Sequence, residues 1–465
     1  MKGTIVNRWV ASTLPAGVLS LWERFRASPL WVRLAKGVMW SVVGAVISRG
    51  LGVVSSIIVA RLLGITAFGE FTIIQSTIGL FGVFAGLGLG VTATKYVAEL
   101  RDADPERCGR ILGLALLVAT IGGVLIGILL VLFAPWFARE TLAAPHLAPL
   151  LVTGAGLVLF SGLQGVYTGA LGGFEAFKKS SQVQFWGAVL GTPFLVVGCL
   201  VAGLEGAVFG AVLQMAVGCV IGHLAISREA AAKGIRISYR VNREELAVLW
   251  GFSIPAFLSS ILTTPANWIC NTLLVNQEGG YEEIAILSAA GQWKNLLSFL
   301  PLVLTSVLLP MLSNLYREGK LPEMTRLLRR NLFLMVGACL LMALPLILLS
   351  NVVLGWYGAG FQNGTLVFVL SLAGTAIVAA NNLLSRAVQA AGRAWLEFSF
   401  SAVWAVALVL SCMALIPSTK ATGLAIGHIV AAALLAIWQW MTVRKLFAVP
   451  AHGAAVEPTH AKGLA

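Results

Sequence analysis

The chain has 465 residues, of which 58% are hydrophobic and 11% charged, with a mean hydropathy of +0.90. Water-facing domains carry about 25% charged residues, so the charge here is too sparse to cover a soluble surface; that excludes a soluble enzyme, a disordered chain and a nucleic-acid binder. The net charge of +13 arises from 32 basic and 19 acidic residues, and its placement carries more information than its size.

No signal peptide is expected in the first 37 residues, because the apolar stretch near Val10 to Trp22 is short and broken by Pro15 and Gly17. Trp22, Phe25, Leu30 and Trp31 alternate with Arg24, Arg26 and Arg33. That mixture suits an amphipathic segment lying on a membrane surface, with an unstructured tail as the alternative. A spanning helix needs about 20 mostly apolar residues. Twelve such stretches follow, near 38–60, 70–94, 111–133, 148–171, 182–203, 206–227, 247–274, 284–310, 331–350, 364–385, 395–416 and 423–443. The fold class expected is therefore all-α: a polytopic membrane protein of about twelve transmembrane helices in two six-helix lobes. The lobes take residues 38–230 and 247–445, joined by a linker at 231–246 and followed by a tail at 446–465. Six cysteines are scattered singly (Cys108, Cys199, Cys219, Cys270, Cys339, Cys412), so neither a disulfide framework nor a metal knuckle is legible.

Basic residues test the span count, because loops on the cytoplasmic side carry the excess of Lys and Arg. With the N-terminus placed inside, the inner segments hold 27 of the 32 basic residues. The outer loops hold only Arg61, Arg139 and Lys420, and Arg49 and Lys294 fall within spans. A missed or extra helix in the middle would scramble that asymmetry. Both termini are expected in the cytoplasm.

Features also recur 213–220 residues apart. Phe68-Gly69-Glu70 at span 2 matches Tyr281-Glu282-Glu283 at span 8, and Arg110 before span 3 matches Arg329 before span 9. Trp186 matches Trp404, and Gly206-x-x-x-Gly210 matches Gly423-x-x-x-Gly427. Six spans per half is an even number, so the repeats run parallel, which places a site at their interface near the midplane.

Arg49 and Lys294 sit about ten residues or more inside their spans, too deep for easy snorkelling. Arg49 shares a face with the small residues Ala45, Gly52 and Ser56; Lys294 shares one with Gly291, Ser298 and Thr305. Both are candidate substrate-binding cations, against the plainer possibility that each is paired with a carbonyl or hydroxyl for packing. No Asp or Glu lies at mid-depth; Glu70, Glu175 and Glu397 come nearest, at span ends. Fixed positive charge in a low-dielectric cavity favours anions, phosphate above all. Gln75, Gln292, Ser298 and Asn271 are candidate cavity-lining groups that would meet sugar hydroxyls, among a wider set of amides including Gln164, Gln214, Asn267, Asn381, Asn382 and Gln389. Interhelical hydrogen bonding is the alternative for each. Gly82, Gly86 and Gly90 form a small-residue stripe for close helix packing. Pro255 and Pro265 predict a kinked or broken span 7. His223 and His428 are single histidines, and neither reads as a metal ligand.

The stretch from Ile57 to Phe71, then Gly86-Leu87-Gly88-Leu89-Gly90 and Lys95-Tyr96-Val97-Ala98-Glu99, resembles the polysaccharide biosynthesis flippases. These are the O-antigen and exopolysaccharide translocases of the multidrug/oligosaccharidyl-lipid/polysaccharide exporter superfamily. The resemblance is sharpest over residues 36–112. It implies a V-shaped bundle working by alternating access, in which a lipid-linked oligosaccharide headgroup crosses through a cationic cavity in the bacterial inner membrane. In the related lipid II flippases basic residues of spans 1 and 8 line that cavity. Arg49 and Lys294, ahead of Leu308-Leu309-Pro310, fall at matching positions. Those relatives have an acidic partner in span 1, where Gly50 follows Arg49 here. The implied substrate is an undecaprenyl-diphosphate-linked oligosaccharide. Membrane lipids, a polysaccharide polymerase and a chain-length regulator are the implied partners, with no nucleic acid, cofactor or metal, and no enzymatic reaction. The competing classes are a drug exporter of the same superfamily, disfavoured by the missing mid-membrane carboxylates, and a membrane polymerase or ligase, disfavoured by the short outer loops.

Overall fold

The computed structural model describes residues 29–239 and 261–447, apart from Gly392, together with Glu245 and Phe257. The surface segment expected over the first 37 residues lies mostly outside the described residues, as do Pro255, part of the linker and the tail beyond Phe447. Among the described residues all regular structure is helical.

The first half contains α1 (Pro29–Leu63), α2 (Ile65–Gly86), α3 (Leu89–Leu100), α4 (Pro105–Trp136), α5 (Ala148–Gly173) and α6 (Phe177–Ala232). The second contains α7 (Thr263–Val275), α8 (Gly280–Leu297), α9 (Phe299–Arg317), α10 (Leu321–Leu348), α11 (Ser350–Tyr357), α12 (Thr365–Ala390) and α13 (Ala394–Phe447). Of the long helices α4, α6, α10 and α13 are the most apolar, and each is long enough to cross a membrane. Their outward faces expose Leu132, Val201, Leu341 and Leu348, which a hydrocarbon surround accepts and water would not.

Two helices are longer than any membrane is thick. The 56-residue α6 and the 54-residue α13 each fold back on themselves. The reversal in α6 falls at Ala202 and Gly203, and in α13 at Lys420. In α6 the arms lie in contact: a Cβ on Gly198 would stand 2.1 Å from the Gly206 carbonyl oxygen. Counting each hairpin as two crossings, the described helices account for eleven of the twelve expected spans. The remaining one, near 247–274, is represented by Phe257 and α7.

Two spans expected as single helices are broken. Span 2 stops at Leu87 and Gly88, both in the left-handed region at φ 43° and 68°, and resumes as α3. Span 8 breaks at Ser298, between α8 and α9. Pro301 stands three residues on; it has no N–H to continue the ladder, and its ring would crowd the preceding turn. In span 7, α7 begins only at Thr263, two residues before Pro265, so that span is interrupted where a break was expected.

The two halves repeat the same sequence of elements. The starts of α4 and α10 are 216 residues apart, and those of α5 and α12, and of α6 and α13, are each 217 apart. The two hairpin turns, Gly203 and Lys420, are also separated by 217 residues and have nearly the same backbone angles (φ 56°, ψ −128° and φ 50°, ψ −127°). This regularity supports the duplication more strongly than the residue matches did.

Three apolar cores show how the halves sit together. One belongs only to the first half, from Leu89 to Ile235, and one only to the second, from Leu308 to Phe447. Both lie at the end of the bundle that carries most of the basic residues. The third and largest is built by both halves at the charge-poor end, joining Phe68, Leu142 and Cys199 to Leu274, Tyr357 and Leu424. Among the described residues the halves thus share a core at the charge-poor end and keep separate cores at the basic end, where Phe84 and Phe257 still meet edge to face at 5.9 Å.

Candidate functional site

The seam between the halves is lined by α1 and α2 on one side and by α7 and α8 on the other. At the charge-poor end it is shut by direct contacts. Arg61 Nε donates to the Trp356 carbonyl at 2.6 Å, Tyr281 Oη to the Leu142 carbonyl at 2.7 Å, and Asn276 Nδ2 to the Thr141 carbonyl at 2.7 Å. Phe68 and Phe361 meet edge to face at 6.0 Å. The backbones come closest at Gly69, where a Cβ would stand 1.8 Å from the Tyr281 carbonyl oxygen; no other residue fits there.

From this closure towards the basic end runs a series of adjoining cavities. The first, of about 370 Å³, is lined by Asn267, Asn271, Lys294, Ser371 and His428, with Thr72 and Ser288 at its edge. Thr72 and Ser288 also border the second, of about 280 Å³, which holds Ser55, Ser56, Gln75, Gln214 and Gln292. Gln75 and Gln214 continue into a third, of about 430 Å³, with Gly79, Gly82, Ser161 and Met215. Ser161 and Met215 lead to the last, of about 670 Å³, lined by Gln164, Thr168, Thr94 and Lys95. Among the described residues, the lining of the whole series carries two cations, Lys95 and Lys294, with amides, hydroxyls and glycines between, and no Asp or Glu.

Of the six residues expected at the site, the structure puts Lys294 with Asn271 in one cavity and Gln75 with Gln292 in the next. Asn271 also donates from Nδ2 to Ser76 Oγ at 3.1 Å, across the seam. Arg49 and Lys294 each lie fourteen residues from the charge-poor end of their helices, roughly 21 Å along the axis. They reach the same level by different means. Arg49 lines none of these four cavities: its Nη1 donates to the backbone carbonyl of Asn295, and its guanidinium lies 5.5 Å from the centre of the Phe299 ring. Asn295 is in the last turn of α8, where carbonyls lose their helical donors. Arg49 therefore ties α1 to the break in α8, one residue from Lys294. Ser298 lines none of the four either, since its Oγ donates to the Lys294 carbonyl at 2.8 Å. Interhelical hydrogen bonding is observed for Asn381, which donates to the Ala432 carbonyl of α13 at 2.9 Å, whereas Gln389 accepts from Arg386 on its own helix.

The carboxylates nearest the spans are held at the ends. Glu70 faces His146 at 2.7 Å, Glu175 takes Arg101 Nη2 at 2.6 Å, and Glu397 accepts from Ser385. Lys95, Ser288 and His428 are among the lining groups not singled out as site residues from sequence. Lys95 counts as a loop charge when span 2 is read as one helix; the break at Leu87 and Gly88 redirects α3 so that Lys95 borders the cleft. His428 is a lone histidine on an apolar helix, and nothing local marks its neighbours.

Comparison with known proteins places this geometry. Residues 34–316 match the family described as polysaccharide biosynthesis protein. The EPS I polysaccharide export inner membrane protein EpsE of Ralstonia solanacearum is 25% identical over 422 residues, covering 86% of this chain and 91% of the relative. Its counterpart in Ralstonia nicotianae is 27% identical over 379 residues, 78% and 83% of the two chains. In fold, the chain is similar to an inward-facing multidrug resistance MATE family transporter of the MOP superfamily (TM-score 0.71, 16% identity, 86% and 94% covered). It is also similar to a MOP superfamily transporter from Pyrococcus furiosus whose binding pocket is described as reversed in polarity (TM-score 0.65, 16% identity, 88% and 96% covered). The match over more than half of its length makes this chain a member of the polysaccharide biosynthesis protein family, built on the transporter fold of the MOP superfamily.

Proposed function

We propose that the chain is a flippase that carries undecaprenyl-diphosphate-linked oligosaccharide units across the bacterial cytoplasmic membrane for surface polysaccharide synthesis, and that it catalyses no covalent reaction. The observation that carries this reading is the run of adjoining cavities that begins between the halves and continues along the inner face of the first half, cationic at Lys294 and Lys95 and, among the described residues, lined by no carboxylate. A diphosphate gains from fixed positive charge in a low-dielectric cleft, whereas a cationic drug would find no counter-ion there. Amides and hydroxyls between the cations suit sugar hydroxyls, and the separate cores at the basic end leave the lipid tail room between the halves. Assigning the basic end to the cytoplasm by the positive-inside rule makes this the inward-open state. Alternating access then closes the basic end and parts the contacts around Gly69 and Arg61. Lys294 is the proposed diphosphate contact. Arg49 acts beside it by holding the α8 break that fixes Lys294, and it is free to turn to the phosphate when the halves move. The Ralstonia relatives named as polysaccharide export proteins support the substrate class.

The test is chromosomal replacement of Lys294. Lys294→Ala should cut surface polysaccharide by about tenfold or more, since losing a charge contact in a desolvated site costs several kcal/mol. Protein level should be unchanged, and lipid-linked units should accumulate on the cytoplasmic face; Lys294→Arg should retain most of the output. Normal polysaccharide in Lys294→Ala would sink the site. Units that accumulate already translocated but unpolymerised would instead favour a polymerase or ligase.

A further inference from the structure

His428 stands in the same cavity as Lys294, and both of its ring nitrogens face oxygen. Nδ1 lies 3.0 Å from the Leu424 carbonyl oxygen, which can only accept. Nε2 lies 3.0 Å from Asn267 Oδ1. The amide of Asn267 is fixed in turn, because its Nδ2 donates to the Thr263 carbonyl at 2.7 Å. Turning the amide over would press two acceptors together at that distance. A neutral imidazole has one N–H and one lone pair, so it leaves one of these oxygens facing a lone pair. An imidazolium satisfies both. The network is built for the protonated ring.

The surrounding charge opposes that state in the empty cavity. Among the described residues that line it, Lys294 on α8 is the one with a fixed charge. On the same helix Glu283 is engaged with the backbone N–H of Ala421 at 3.3 Å, two turns of α13 away. From α7 come Asn267 and Asn271 and from α12 Ser371, all uncharged; the thiols of Cys270 on α7 and Cys412 on α13 are buried and do not line the cavity. Two cations in one low-dielectric pocket repel strongly. An anion on Lys294 would remove that repulsion and leave the bonding pattern to decide.

We propose that His428 is a proton-binding site coupled to the anionic substrate: the ring takes a proton from cavity water when a diphosphate occupies Lys294, and gives it up when the diphosphate leaves. This rests on the diphosphate reading above. By linkage the effect is reciprocal, so protonation of His428 also tightens anion binding at Lys294. Substrate and proton would then leave the cavity together, so the proton offsets part of the negative charge carried through the low-dielectric cleft without a carboxylate relay; an inward-directed proton gradient opposes this export rather than driving it.

The experiment is titration calorimetry of the purified full-length protein with farnesyl diphosphate near pH 7, in buffers of different ionisation enthalpy. Comparison among variants removes the probe's own protonation. The wild type should take up about one more proton per bound diphosphate than His428→Gln. In Asn267→Asp a carboxylate faces Nε2 and holds the ring protonated beforehand, so the extra uptake should vanish while His428 remains. Both variants should elute as the wild type does on size exclusion. Equal proton uptake in the wild type and in a folded His428→Gln or Asn267→Asp, with binding intact, would overturn this inference alone. Absence of any binding by the wild type would overturn the diphosphate reading and this inference with it.

Discussion

Lys420 is a residue in a position made for glycine. Its φ of 50° with ψ of −127° lies where a Cβ is crowded, and its counterpart in the first hairpin, at nearly the same angles, is Gly203. The hairpin still forms because both arms of α13 are packed: Leu424 and Cys412 are fully buried. Strain of this kind costs about 1–3 kcal/mol. Lys420→Gly should therefore stabilise the protein by about 1 kcal/mol, read as a raised midpoint of thermal unfolding in detergent. Gly203→Ala should lower it by a similar amount. An unchanged midpoint in Lys420→Gly would mean the turn relaxes around the lysine.

At the scale of elements, the breaks matter more than the spans. Ser298 separates α8 from α9; the Asn295 carbonyl in that last turn takes Arg49 from α1, while the Lys294 carbonyl keeps the Ser298 N–H and also takes the Ser298 hydroxyl. A continuous helix would leave Arg49 no carbonyl to hold. The closest approach of elements is α2 on α8 at Gly69, where side chains are excluded by the Tyr281 carbonyl. Gly69→Val should keep the charge-poor end from shutting and shift the protein towards its other state. On the alternating-access cycle proposed above, surface polysaccharide should fall severalfold with protein level unchanged, because a protein held in one state cannot complete that cycle. Wild-type output from Gly69→Val would show that α2 and α8 need not touch.

For the whole molecule, the arrangement of cores fixes which end is open. The shared core at the charge-poor end and the separate cores at the basic end leave Val91, 55% exposed, on the wall of the cavity nearest the basic end. The six native cysteines are buried, so an added thiol can be followed against a low background. Val91→Cys should react with a membrane-impermeant maleimide from the cytoplasmic side and be protected from the other. Adding Gly69→Val should slow that labelling severalfold. Equal labelling from both sides would contradict closure at the charge-poor end.

The linear chain determined what depends on bulk hydropathy: an all-helical membrane protein with many apolar spans. Those properties are sums or periodicities along the chain, and the membrane imposes them on each segment separately. Tertiary structure decided the rest. It broke spans 2 and 8, brought Lys95 and His428 to the cavities, paired Lys294 with Asn271, and set Arg49 on a backbone carbonyl outside the four cavities. A side chain's surroundings come from helices hundreds of residues away, and a polar group deep in a bundle must take whichever partner those helices present.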